Sequence, residues 1–219
     1  MALVRKSVEG NVGTITLYHP AKQNALSASL IQDLLAALSD LNTSGARVIV
    51  LRAPKGAKVW SAGHDVRELP TNGRDPLTYD DPLRCVVRSI KESPTPVIAM
   101  VEGGVWGGAC EVVMSCDMVV AADGATFAIT PAKIGVPYDI EGTLSFMGSV
   151  SLPIIKEMLF TAQPMPAERA LQVGIVNQVV PADRLEAAVA EMAAHIIANS
   201  PLVISLLKEV LREIGRAHV

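Results

Sequence analysis

The sequence predicts an α/β protein with a parallel sheet at its core, helices packed outside, and a helical C-terminal region. Three observations carry that expectation. Aliphatic runs bounded by turn residues alternate with stretches whose apolar residues recur at helical spacing. Half of the 219 residues are apolar and only 4% aromatic, so the core must be filled mainly by aliphatic side chains. From about residue 150 onward, helical spacing dominates.

Residues 2–8 and 12–18 read as a hairpin, turning at Glu9-Gly10-Asn11. Over 27–42, Leu30, Ile31, Leu34, Leu35, Leu38 and Leu41 share one helical face, and Ser27 or Ser29 can cap it. Arg47 to Arg52 is a buried strand, and Lys58 to Trp60 a short one. Residues 69–80 carry Pro70, Asn72-Gly73 and Asp75-Pro76 and read as a polar, turn-rich insert. A helix over 82–93 and a strand over 96–101 follow, Pro96 opening the strand. Gly108 to Met114 reads as a short helix, and 118–122 and 126–129 as strands. Strand–strand–helix units therefore occur twice, which is the grammar of a parallel core. Helices are expected over 152–161, 166–172, 182–198 and 201–214, interrupted by a strand at 175–180. The last helix has an apolar stripe, Val203, Leu206, Leu207, Val210, Leu211 and Ile214, which needs a partner surface inside the subunit or on a neighbour. The division is a core over 1–150 and a helical region over 151–219.

Two glycine-marked turns carry the chemistry: Ser61-Ala62-Gly63-His64-Asp65 and Gly104-Val105-Trp106-Gly107-Gly108-Ala109. Each follows an apolar strand and leads toward a helix, where the first N–H groups have no helical partner. The backbone N–H groups of His64 and Gly108 can together hold one carbonyl oxygen, forming an oxyanion hole. Two ordinary glycine turns remain the plain alternative. His64 is expected to act through its backbone, and Asp65 to cap the turn that follows. Glu111 could serve as a general acid or base, or could simply stabilise the start of its helix. Tyr138 could be a phenolic donor in a pocket, or an unremarkable loop residue. Trp60, Val66, Trp106 and Tyr138 are the expected determinants of pocket size.

Other classes are disfavoured. A formal charge of −3 supplies no basic face for nucleic acid and no polybasic membrane anchor. No apolar run approaches the roughly 18 residues of a membrane span. The N-terminus, Met1 to Ser7, lacks the apolar core of a signal peptide. Cys85, Cys110 and Cys116 form no CxxC pair and read as free thiols in a reducing cytoplasm. His19, His195 and His218 are scattered, so no metal site is expected. Gly104-x-x-Gly107-Gly108 is not a dinucleotide fingerprint, no Walker A motif occurs, and no serine sits in a nucleophile elbow.

At these residues the chain resembles the crotonase (enoyl-CoA hydratase/isomerase) superfamily. The matching elements are Gln23-Asn24-Ala25-Leu26, Ser61 to Asp65, Val105 to Glu111, Ser115-Cys116-Asp117 and Ile134-Gly135-Val136-Pro137, in order along nearly the whole chain. Within the superfamily it most resembles the methylmalonyl-CoA decarboxylases, through Leu51 to Pro54, Ser61 to Pro70, Gly73 to Leu77, Tyr79 to Arg84 and Thr130-Pro131 with Gly135 to Tyr138. The resemblance implies a spiral of ββα units, a helical C-terminal trimerisation region, and a homotrimer or dimer of trimers. It implies an acyl-CoA thioester whose carbonyl rests on the N–H groups of His64 and Gly108. Ala62, Gly63, Asp65 and Val66 would line the thioester and pantetheine, and backbone near Lys22, Ala25 and Leu26 would receive the adenine end. Thr130 and Tyr138 would face the substrate carboxylate. CoA belongs to the substrate, and no separate cofactor is implied.

Hydratases of this superfamily use two glutamates. Glu111 matches the first, but Pro131 stands near the position of the second. The implied reaction is therefore decarboxylation of methylmalonyl-CoA or malonyl-CoA through a thioester enolate. Hydration or isomerisation by Glu111 alone, and a catalytically weak binding subunit, are the alternatives. Relatives also continue for several helical turns beyond Val219, so the C-terminal region is expected to be cut short.

Overall fold

The computed structural model describes residues 2–69, 77–138 and 140–217. Most of the turn-rich insert expected over 69–80, together with Asp139, lies outside the described residues. The first strands, β1 (Val4–Glu9) and β2 (Val12–Leu17), form the expected hairpin and are followed by α1 (Ala28–Thr43). Ser27 caps α1, its side chain accepting from the Leu30 N–H at 3.3 Å.

Three strand–strand–helix turns follow. They are β3 (Val48–Arg52), β4 (Val59–Ser61) and α2 (Pro82–Glu92); β5 (Val97–Val101), β6 (Gly104–Trp106) and α3 (Gly108–Ser115); then β7 (Met118–Ala122), β8 (Thr126–Ala128) and α4 (Ile140–Met147). The first strand of each turn joins a six-stranded sheet and the second a four-stranded one, which generates a spiral. The chain continues as α5 (Leu152–Thr161), β9 (Met165–Pro166), α6 (Ala167–Gln172), β10 (Gln178–Val180), α7 (Leu185–Ile197) and α8 (Pro201–Ala217). The sheet orders are β1-β2-β3-β5-β7-β10 and β4-β6-β8-β9. All neighbours pair in parallel except β1 with β2 and β8 with β9.

The central strands of the large sheet, β3, β5 and β7, are buried on both faces, which explains their unbroken aliphatic runs. Alternation sorts their side chains. Ile49, Leu51, Val97, Ala99, Val101 and Val119 enter the core beneath α1, α2 and α3. Val48, Val50, Ile98, Met100, Val120 and Ala122 face the opposite way and pack on Leu185, Ala188, Val189 and Ala193 of α7. Lys208 ties α8 to the body, donating to Asp117 Oδ2 at 2.7 Å and to the Ile90 carbonyl at 3.1 Å.

The second glycine-marked segment is only partly a turn. Gly104, Val105 and Trp106 form β6 because β4 and β8 flank them with complementary backbone. The bend is confined to Gly107. The strand expected at 175–180 begins at Gln178, because the Ile175 and Val176 N–H groups both turn back to the Ala170 carbonyl. Helix α4 was not expected. It buries only Gly142 and Phe146 and leaves Ile140, Leu144 and Met147 exposed, so it lacks the apolar stripe that marks a helix in sequence. No single helix among the described residues is long and apolar enough to cross a membrane.

Candidate active site

The site is built where β4 and β6 end. Beyond Ser61 the chain is stitched to an irregular segment at residues 23–26. The Ser61 hydroxyl donates to the Asn24 carbonyl at 2.7 Å and accepts from the Gly63 N–H at 3.2 Å. Ala62 N–H reaches the Gln23 carbonyl at 3.0 Å, and Leu26 N–H the Gly63 carbonyl at 2.8 Å. Gln23 and Asn24 both take a left-handed backbone, at φ 51°. Asn24 is held there by its side-chain amide, which donates to the Trp60 carbonyl at 2.9 Å.

Two glycines bring the strand ends together. Gly63 has φ +84°, and a Cβ there would lie 2.4 Å from the Trp106 carbonyl oxygen and 3.0 Å from the Gly108 nitrogen. Gly107, at φ +55° and ψ −128°, turns β6 directly into α3, and its N–H is anchored on the Ala128 carbonyl at 2.8 Å. The His64 and Gly108 nitrogens are thereby neighbours: a Cβ on Gly108 would lie 3.6 Å from His64 N. Leu26 bridges one side of His64 through bonds to Gly63 and Asp65, so the His64 N–H points the other way. Gly108 is the first residue of α3, where no intrahelical acceptor exists. Among the described residues neither N–H has an acceptor. Two adjacent donors at the positive end of a helix have the geometry that an oxyanion hole requires.

Both turns border a cavity with aliphatic walls from Leu69, Leu77, Leu83, Ile134 and Val136, and with Pro131 and Pro137. Its polar lining comes from His64, Arg84, Thr130 and Tyr138, and no carboxylate lines it among the described residues. Thr130 sits over the Gly107 bend, with its hydroxyl 3.4 Å from where a Gly107 Cβ would be. The Tyr138 ring packs against fully buried Phe146 of α4, with centroids 5.2 Å apart and planes tilted by 56°. Helix α4 thus fixes the phenol at the cavity.

Three charge pairs surround the hole. Arg84 of α2 pairs with Glu111 of α3, both essentially without solvent exposure. The ring of His64 sits between two acceptors, with Nδ1 3.1 Å from the Asp65 carbonyl and Nε2 3.7 Å from Asp81 Oδ2. Burial opposes charging of this ring, but the contacts with Asp81 and the Asp65 carbonyl outweigh it, and the pKa stands above the ordinary histidine value. Asp65 receives Lys22 Nζ at 3.1 Å and the Arg67 N–H at 3.2 Å, and the lysine contact holds its carboxyl below the usual range against the effect of burial.

The structure brings Ala62, His64, Val66, Gly108, Thr130 and Tyr138 to one cavity. Gly63 shapes it through its backbone. Asp65 caps the turn over 66–68, as expected, and spends its carboxylate there. Lys22 is half exposed beside Asp65, while Ala25 and Leu26 are enclosed and contribute backbone only. Glu111 is not brought to this cavity; Arg84 lies between them, and Glu111 lines a separate cleft among α2, α3, α4 and α8. Two expected determinants of pocket size do not line it either. Trp60 is fully buried with its indole N–H on the Met100 carbonyl at 2.9 Å, and Trp106 lies outside the lining. Arg84 and Leu83 are the residues that sequence reading passed over. Their signal is an arginine on the apolar face of α2, in step with Val87 and beside Leu83.

Cys110, just past the hole, is no nucleophile. Its thiol faces the Val105 and Ala128 carbonyls, and burial pushes its pKa up to about 12. Among the described residues no group of three His, Cys, Asp or Glu side chains is gathered to hold a metal.

The enoyl-CoA hydratase/isomerase family model matches residues 7–216. Methylmalonyl-CoA decarboxylase of Escherichia coli (strain K12) is 51% identical over 207 residues, covering 94% of this chain and 79% of that protein. The solved structure of methylmalonyl-CoA decarboxylase in complex with 2-nitronate-propionyl-CoA superposes with a TM-score of 0.96 at 49% identity, over 99% of this chain and 84% of that one. A second, complexed with 2S-carboxypropyl CoA, superposes with a TM-score of 0.96 at 49% identity, over 99% of this chain and 83% of that one.

Proposed function

The chain belongs to the enoyl-CoA hydratase/isomerase family, and we propose that within it the protein decarboxylates methylmalonyl-CoA to propionyl-CoA and CO2. The observation that carries this reading is a pair of backbone donors opening on a cavity with no carboxylate in its lining among the described residues. Adding water across a double bond calls for carboxylates that orient water and move protons. Here Pro131 and an enclosed Glu111–Arg84 pair occupy the relevant positions. A substrate that brings its own carboxylate suits such a cavity.

The thioester oxygen rests on the N–H groups of His64 and Gly108. The bond from Cα to the carboxylate breaks, CO2 leaves, and its electron pair passes into the thioester as an enolate. The two donors stabilise the charge as it develops; loss of one such donor in a studied protease costs about 10²–10³ in rate. Thr130 and Tyr138 hold the carboxylate out of the thioester plane, which aligns the breaking bond with the carbonyl. One proton, delivered at Cα by the Tyr138 hydroxyl directly or through water, completes propionyl-CoA. Val66 and residues near Lys22 receive the pantetheine and adenine ends. No cofactor beyond the CoA of the substrate enters this scheme.

Incubation with methylmalonyl-CoA tests it. Release of CO2 with matching formation of propionyl-CoA is expected. Absence of both from a preparation that binds acyl-CoA contradicts it. The exposed stripe of Leu202, Leu206, Leu207, Leu211 and Ile214 supports a homotrimer or dimer of trimers. Three free thiols, two of them buried, support a reducing compartment, the cytoplasm.

A further inference from the structure

Among the described residues, the His64 ring has only acceptors in reach of its nitrogens. A carbonyl oxygen stands 3.1 Å from Nδ1 and a carboxylate 3.7 Å from Nε2. A neutral imidazole carries one N–H, so either tautomer would aim a lone pair at an oxygen. Only the doubly protonated ring suits both neighbours. Asp81 is itself fixed. It caps α2 by accepting the Leu83 N–H at 2.8 Å, and Leu83 packs on Gly108, its Cδ2 2.8 Å from where a Gly108 Cβ would be. One carboxylate therefore touches the ring of one oxyanion residue and the helix end that packs against the other.

We infer that Asp81 is a positioning residue for the decarboxylation, keeping the His64 ring as an imidazolium so that a cationic ring, with its carboxylate partner outside the lining, borders the cavity in which the enolate forms. The inference rests on the decarboxylase reading above. His64 then serves the reaction twice, through its backbone N–H at the thioester oxygen and through the field of its ring. The field acts in a cavity with aliphatic walls, where a nearby charge counts for more than in water. Among the described residues, the charges that act on the ring agree with this assignment. Asp81 of α2 faces the ring, and Glu68 of the turn over 66–68 adds a second favourable charge. Asp65 is neutralised by Lys22, and Arg84, the nearby cation on α2, is paired with Glu111.

The test is Asp81→Asn, which retains a side-chain oxygen to cap α2. The kcat and KM for methylmalonyl-CoA are measured across pH, and the ring of His64 is titrated by NMR in the same proteins. In the parent, the ring is expected to titrate above the ordinary histidine value, and kcat to fall on the alkaline side with the same midpoint. In Asp81→Asn both midpoints should move down together and kcat near neutral pH should drop about tenfold, with KM little changed. Asp81→Glu should restore much of the loss. His64→Gln, which keeps the backbone donor, should lower kcat and abolish the alkaline limb. A ring that is neutral in the parent at pH 7, or a pH profile unmoved in Asp81→Asn, overturns the inference. If methylmalonyl-CoA is not turned over at all, the decarboxylase reading fails. The NMR titration still decides separately whether Asp81 holds the ring charged.

Discussion

Gly63 is the residue on which the site turns most sharply. Its φ of +84° is a region that side-chain-bearing residues avoid, and the atoms a Cβ would strike are the backbone of Trp106 and Gly108. Neither obstacle can swing aside. Gly63→Ala should therefore separate the two donors and lower kcat about a hundredfold or more, the scale of losing an oxyanion donor, while far-ultraviolet circular dichroism stays native. Glu111 and Tyr138 divide the two candidate chemistries. Glu111→Gln leaves the Arg84 charge enclosed without its carboxylate, and breaking such a pair costs about 3–5 kcal/mol. A large fall in the denaturation midpoint is expected. Tyr138→Phe should leave that midpoint almost unchanged and lower kcat instead. A hydratase relying on Glu111 would instead keep its kcat in Tyr138→Phe.

At the scale of elements, the site depends on how the segment over 23–26, the end of β4 and the start of α2 are pinned to one another. Two titrating contacts do this, and they respond to pH in opposite directions. Asp65, held by Lys22, has its pKa lowered in the fold, so its contribution is present above the ordinary value of 3.8 and is lost as pH falls through the depressed pKa. His64, paired with Asp81, has its pKa raised, so its contribution is present below 6.5 and is lost as pH rises through the elevated one. Denaturation midpoints followed across pH should show Asp65→Asn flattening the acid limb only. Asp81→Asn should flatten the neutral-to-alkaline limb as well.

Across the whole molecule, burial and backbone conformation separate what the sequence declared from what it concealed. The central strands of the large sheet, β3, β5 and β7, are legible as aliphatic runs because both their faces are buried. The glycine bends are legible because few other residues tolerate Gly63 and Gly107. The pairing of His64 with Gly108 is legible only as a possibility, since convergence is a property of two strand ends that lie 44 residues apart in number. Trp60 misled because a large aromatic beside a site reads as a wall, whereas its indole is consumed by the Met100 carbonyl in the core. Arg84 was hidden because a buried cation declares itself only through its partner, and Glu111 sits on another helix. Helix α4 was hidden because exposure of Ile140, Leu144 and Met147 dilutes its pattern. Those residues and the stripe on α8 leave a broad apolar surface. Replacing Leu206 and Leu211 of α8 by lysine should shift the sedimentation coefficient from that of an assembly to that of a monomer, while the denaturation midpoint of the subunit core changes little.

The central claim is that two backbone N–H groups grip a thioester oxygen, and vibrational spectroscopy reads that grip directly. Propionyl-CoA labelled with carbon-13 at the thioester carbonyl would be bound to the protein and its stretching band located by infrared difference spectroscopy. A clear shift to lower frequency relative to free propionyl-CoA is expected, and the shift should vanish in any Gly63→Ala protein that still binds the ligand. A band at the solution frequency in the bound parent complex would contradict the account.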